Sequence, residues 1–387
     1  MIQLKKYLII IPFCIATFCI PACISCSSNS TKSMAEQNNN ENKMIEIVAE
    51  IKPPYPDMSG IVVTKDHRIF LTFPRHADNH NQFSLAEYKD GKCIPFPNKE
   101  MTYPSDKPYD QWLVSPHGMT LDGKGNIWVI DDGKRAGIKG IPKGAAKLVG
   151  INPQNKEVIA RIVIESPALH QDSHLNDLRV DLNHGKEGTA FITNSSFGVT
   201  GSIVVVDIAS GKSKEVLVNH ESTRIQPGYM AFLEGEPREY HASNVTLPSG
   251  GADGIALVDN RVYITSITGR GLYSISADSL ANFSLSEKEL SQAVRYEGDR
   301  PSCDGLAEGI NGTIYFGAYE QMALVERSKD GKYSTLVQDN RLGWPDGLFY
   351  TTDGYLYVTL GQWNRLPGFN NGIDLRKPPF LVIRIKV

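Results

Sequence analysis

The chain has 387 residues, 41% of them hydrophobic, and 40 lysines and arginines against 43 acids give a formal net charge of −3. A near-balanced charge with no basic stripe predicts no nucleic-acid partner. Four of the six cysteines fall within the first 26 residues, and Cys93 and Cys303 alone are too few for a disulfide framework in so long a chain.

Lys5-Lys6 followed by the apolar run Leu8 to Ile24, broken by Pro12 and Pro21, has the form of a secretory leader over residues 1–25. Ile24-Ser25-Cys26 resembles a bacterial lipobox, which predicts lipid attachment at Cys26, with Cys23 as the alternative. The expected location is the cell envelope, with the membrane touched only through the anchor. Simple cleavage to a periplasmic or extracellular protein is the other reading. Removing residues 1–25 takes away Lys5 and Lys6 and no acid, so the net charge becomes −5. Residues 26–42 are rich in Ser, Asn and Glu without apolar periodicity and read as a tether.

From residue 43 onward a phrase recurs six times: a small or polar residue and usually a glycine, a short apolar strand, a turn, and a second strand with a central aromatic. The openings are Ser59-Gly60, His117-Gly118, Asp177-Leu178 with Asn176 before it, Asp253-Gly254, Asp304-Gly305 and Asp346-Gly347. Four-stranded propeller blades take about 40–50 residues, and the spacing of these openings fits such blades with insertions. Third strands follow at Ser84–Tyr88, Lys147–Ile151, Ser202–Asp207, Gly271–Ile275 and Ala323–Arg327, each placed where a hairpin needs it. The chain ends in a strand, Phe380–Ile385, with no fourth strand after it, whereas Met44–Val48 is a strand with no hairpin partner. Pairing the two would close the ring and remove its free edges. The expectation is an all-β, six-bladed propeller over residues 43–387. A solenoid is the alternative, and the complementary ends count against it.

A helix is predicted from a Ser284 cap through Leu290 and Val294, between blades four and five, and a long loop from Glu221 to Gly250 is predicted to cross one face.

Several phrases in order carry a family resemblance. They include Ile69–Arg75 with Ser84–Tyr88, Asn126–Gly133, Leu175–Asp181, Ala252–Leu257 with Thr268–Tyr273, and Trp344–Gly347 through Asn364–Pro367 to Pro378–Phe380. The chain resembles the major royal jelly protein and yellow family in its bacterial branch, described as dopachrome-tautomerase-related. That resemblance implies a six-bladed propeller and export. It leaves function open, because the family includes proteins of dopachrome conversion, salivary binders of biogenic amines and nutritive proteins. More distantly the repeats resemble the calcium-dependent gluconolactonase propellers. That likeness implies a divalent cation held by a first-blade acid with Asn and Asp from later blades, here Asn176, Asp177 and Asp253. The first blade departs from the pattern, offering Ser59 and no neighbouring acid except Asp57.

First strands of a propeller line its channel, so Ser59, His117, Asn176, Asp177, Asp253, Asp304 and Asp346 are expected around one mouth. Carboxylates so close need a cation such as Ca²⁺, a donor-rich ligand or raised pKa values. Each aspartate has the alternative of serving its own turn, and His117 that of a polar lining residue rather than a general base. Rim candidates are Arg75, His76, His80, Arg270, Trp344, Trp363 and Arg365, and the aromatics among them together with the acids of the mouth suit an aromatic cation. Against that stand Trp344 packed between blades and Arg270 paired with a carboxylate. No nucleophile elbow, phosphate loop or dinucleotide fingerprint is present. The leading expectation is a binder of a small polar or aromatic ligand, with a metal-dependent lactone hydrolase or a tautomerase using His117, Asp177 or Asp253 as the alternative.

Overall fold

The computed structural model describes residues 44–196, 200–241 and 249–387. The leader, Cys23, Cys26 and the tether lie outside the described residues.

Six antiparallel sheets of four strands each are arranged as blades. The inner strands are Ile61–Val63, Pro116–Leu121, Leu175–Asp181, Ala252–Val258, Leu306–Glu308 and Pro345–Thr351. Each touches the inner strand of the next blade, and the sixth returns to the first. Blade six is built from both ends of the propeller: Phe380–Lys386 pairs on one side with Tyr355–Leu360 and on the other with Glu46–Ile51. The closure predicted from the unpaired ends is therefore the observed one. Every predicted third strand occupies its expected place.

The two inner strands of each blade are largely buried and rich in Val, Ile, Leu and Phe because both faces of the sheet are covered there by neighbouring blades, whereas outermost strands such as Val158–Val163 and Arg295–Asp299 are half-buried or exposed. At the inner strands the packing is close enough to exclude a side chain. A Cβ on Gly60, Gly118, Gly254, Gly305 or Gly347 would lie 2.7, 2.5, 2.4, 1.8 or 2.5 Å from the backbone carbonyl oxygen of the next blade's opening residue. Threonines stitch the same joint. Thr72 and Thr193 donate their hydroxyls to the carbonyls of His117 and Asp253 in the following blade and accept the Gly60 and Asp177 amides of their own. Thr359 does the same from blade six to Ser59 of blade one.

The predicted helix is real but displaced. It spans Glu287–Ala293, with Ser286 rather than Ser284 as its cap in a capping box with Glu289. It lies inside blade four, between that blade's third and fourth strands, not between blades. Cys93 and Cys303 are buried free thiols.

Candidate ligand site at the channel mouth

A cavity of about 720 Å³ opens at the mouth of the channel. Its floor is the ring of opening residues: His117, Asn176, Asp253, Asp304 and Asp346 all line it. Asp177 does not. Its strand carries the same register slip as the inner strands of blades two, four and six, and in that shared register Asn176 takes the ring position and Asp177 the slot that glycine fills in the other blades. The Asn176–Asp177–Asp253 set expected from sequence is thus split between two levels.

Below the ring the channel is crossed by Arg179. Its guanidinium reaches from blade three to Glu308 and the Leu306 carbonyl of blade five, each at 2.7 Å. Asp177 stands beside this bridge. Burial, with Asp304 and Glu308 adding negative charge, pushes its pKa up to about 7 despite the opposing pull of Arg179. A carboxyl whose folded pKa exceeds its unfolded value of about 3.9 loses stability as pH rises between the two, because only the folded chain then holds the proton. Asp177→Asn is accordingly expected to flatten the decline in stability between pH 4 and pH 7. It should gain about 1–2 kcal/mol relative to wild type at pH 8, allowing for channel water. Urea unfolding of both proteins at pH 5 and pH 8 measures this; equal slopes would refute it.

Each ring aspartate is held by protein donors. The Trp344 indole donates to Asp304 and the Trp363 indole to Asp346. Asp253 Oδ2 accepts from Asn176 Nδ2 and Ser195 Oγ, both at 2.8 Å. Asp253 Oδ1 is buried and accepts no bond from a protein donor among the described residues. Burial, reinforced by mutual repulsion at Asp253 and Asp346, raises all three carboxyls, and Asp253 holds a proton toward Asp304. Raised pKa values and indole donors both ease the crowding of charge on the floor.

Three imidazoles form the opposite side. His76 comes from the excursion after Ile69–Thr72, His117 from the blade-two inner strand, and His174 from the residue before the blade-three inner strand. Their ring centroids are 4.7–5.0 Å apart. One donor atom from each lies within 4.8 Å of the others. His174 Nδ1 meets Asp132 Oδ2 at 2.8 Å, and its backbone is pinned by Asn194 and Ser195. His117 Nδ1 meets Ser59 Oγ at 3.2 Å, and Ser59 also bonds Asp346. Burial pushes His117 and His174 down to about 3, so both rings are neutral.

The remaining rim residues divide clearly. Arg75 is a buried clamp whose guanidinium donates to five backbone carbonyls, of His80, Gln82, Thr102, Leu113 and Val114. It thereby fixes the excursion that carries His76 and does not reach the cavity. His80 Nε2 contacts the Phe73 carbonyl in the same excursion. Arg270 pairs with Glu320 at 2.6 Å and Arg365 with Glu234, both outside the cavity. Trp344 is both wall and packing: it stacks on Tyr319 at 4.7 Å while its edge reaches Asp304. The loop after Glu221 carries Arg238, Tyr240 and Ser249 to the cavity, and Arg238 lies over Trp344 and Phe369.

Sequence reasoning missed His174, Asp132 and Ser195. The one available signal was that His174 stands two residues before the ring position of its blade.

Among solved structures, the chain is similar to regucalcin of Agrobacterium tumefaciens, described as a calcium-binding protein, at 11% identity and TM-score 0.52 over 89% of this chain and 95% of that one. A luciferin-regenerating enzyme is similar at 13% identity and TM-score 0.51, with 89% and 95% covered. A gluconolactonase of Xanthomonas campestris is similar at 9% and 0.50, with 89% and 90% covered. At such identities these likenesses show the fold alone. No curated protein matches the chain in sequence. The family model described as "Major royal jelly protein" matches residues 114–376, well over half the chain, from the approach to His117 through the last excursion of blade six, and on that match the chain belongs to the major royal jelly protein family.

Proposed function

We propose that the mouth cavity binds a small organic molecule with a flat aromatic body and a protonated amine or other donor group. The observation that carries this reading is the meeting of carboxyls and flat rings in one cavity, where Asp253, Asp304 and Asp346 line the floor beside Trp344 and Trp363. A ligand N–H is the partner such a floor accommodates. Trp344, Trp363, Phe369 and Tyr240 supply the flat apolar wall. A ligand cation would draw the proton off the Asp253–Asp304 pair and replace it with an ion pair in a dry site. Salivary relatives that bind biogenic amines support the same class of ligand. The leader and the Cys26 motif support export and a lipid anchor.

The calcium-dependent lactonase reading is the weaker one. The oxygen set does not fit a hard cation: blade one supplies Ser59, Asp177 stands at another level, and Asn176 turns its amide nitrogen to Asp253. No hydrolytic step is therefore derived through such an ion.

The test is thermal unfolding of the mature domain with tyramine, dopamine, glucose and gluconolactone, in the presence of chelator. An aromatic amine at about 100 times its dissociation constant should add about 2.7 kcal/mol of stability. Asp253→Asn should weaken it at least about tenfold. Stabilisation by sugars alone, or undiminished amine binding by Asp253→Asn, would overturn the reading.

A further inference from the structure

We propose that His76, His117 and His174 form a three-histidine site for a borderline divalent metal ion of the zinc type, with its fourth position open to the mouth cavity. This stands independently of the amine reading, which rests on the aspartate side of the cavity.

Three features support the site. The imidazoles come from three separate parts of the chain, and their donor atoms already lie within 4.8 Å of one another. Tetrahedral coordination at Zn–N distances of about 2.0–2.1 Å places donor nitrogens about 3.3 Å apart. Rotation of the rings about their side-chain bonds has to close the difference, and all three line the mouth cavity.

The second feature is the outer layer of partners. Asp132 Oδ2 meets His174 Nδ1 at 2.8 Å, and the other oxygen of Asp132 is occupied by the Lys134 amide at 2.9 Å. Ser59 Oγ meets His117 Nδ1. With Nδ1 of both rings engaged, Nε2 is the donor each has to offer. A carboxylate orienting a histidine in this way is the usual support of a metal-bound imidazole. The Arg75 clamp adds rigidity to the third element by tying down the excursion that carries His76.

The third feature is the ligand chemistry. An all-nitrogen set selects zinc-type ions over Ca²⁺ or Mg²⁺, which prefer oxygen. Three protein ligands with a vacancy toward a cavity is the arrangement of reactive rather than purely structural zinc sites. The sequence pointed to a hard cation on Asn176, Asp177 and Asp253; the geometry moves the metal across the cavity and changes its class.

The experiment uses the mature protein, stripped with chelator and desalted, then titrated separately with Zn²⁺, Co²⁺ and Ca²⁺ against a chromophoric chelator. One equivalent of Zn²⁺ or Co²⁺ is expected, the Co²⁺ form showing the visible absorption of four-coordinate nitrogen ligation. His174→Gln and His117→Gln should each weaken binding by at least about 100-fold, and Asp132→Asn by about 10–100-fold. The exposed His67→Asn should change nothing. Thermal unfolding confirms that each variant is folded; if His117→Gln is not, His76→Gln and His174→Gln carry the test. Zn²⁺ binding weaker than about 100 μM overturns the proposal, as does binding indifferent to His174→Gln or a Ca²⁺ preference that survives the histidine variants.

Discussion

Lys147→Ala is expected to cost about 3–5 kcal/mol of folding stability. Lys147 and Asp131 form an ion pair at 2.7 Å with both side chains completely buried. The lysine also donates to the Ala145 carbonyl, and Asp131 accepts the amides of Val114, Ser115 and Gly133. Removing only the lysine leaves a carboxylate in the core without its counter-charge, which is far worse than never having buried either group. Lys147→Met combined with Asp131→Asn should therefore recover part of the loss, because no charge is then buried, although an asparagine side chain accepts on one atom only and leaves at least one of the three amides unpaired. Denaturant midpoints of the single and double variants decide the matter. A double variant no better than Lys147→Ala would show that the charge is not the cause. The pair also ties the strand leading to His117 to the turn carrying Asp132, so the single variant should loosen that side of the cavity as well.

Gly305→Ala is expected to cost about 3 kcal/mol or more, or to abolish soluble protein. A methyl group there would sit 1.8 Å from the Asp346 carbonyl oxygen and 3.0 Å from its carbonyl carbon. Both atoms belong to the backbone of blade six, so no side chain can rotate away and the blades themselves must separate. Because the ring is closed, spreading one joint strains the threonine stitches at the others. Gly343→Ala is the matched control, since its added methyl would meet nothing within 4 Å. It should stay within about 0.5 kcal/mol of wild type. Soluble yield and thermal unfolding midpoints of the two variants measure the difference, and a Gly305→Ala protein that unfolds like wild type would disprove the close-packed ring.

The aspartate side of the site was legible because it repeats. Asp253, Asp304 and Asp346 each precede a glycine at an inner strand, and each reaches the floor of the cavity. Asp177 mimics them in sequence, yet it occupies the glycine slot of blade three. The same bulge falls at this point in blades two, four and six, so Asn176 aligns with His117, Asp253 and Asp346, and a reading keyed to the aspartate lands one residue too late. Arg75 and Arg270 show a different limit. An arginine after a strand reads as a rim residue either way, and only the surrounding carbonyls and Glu320 show that one is a buried clamp and the other an ion pair.

The sequence by itself determined the six blades, their third strands and the joining of Glu46–Ile51 to Phe380–Lys386, along with Cys93 and Cys303 as unpaired thiols. These follow from local hairpins, two-residue periodicity and the need to cover every edge, all of which are written along the chain. Only the tertiary structure decided that His76, His117 and His174 meet, that Asp132 orients one of them, and that Arg179 spans the channel beneath. His76, His174 and Asp132 lie outside the repeated phrase, where no period runs through the sequence, and it is ring closure, packing inner strands carbonyl against glycine, that brings them to one mouth with His117.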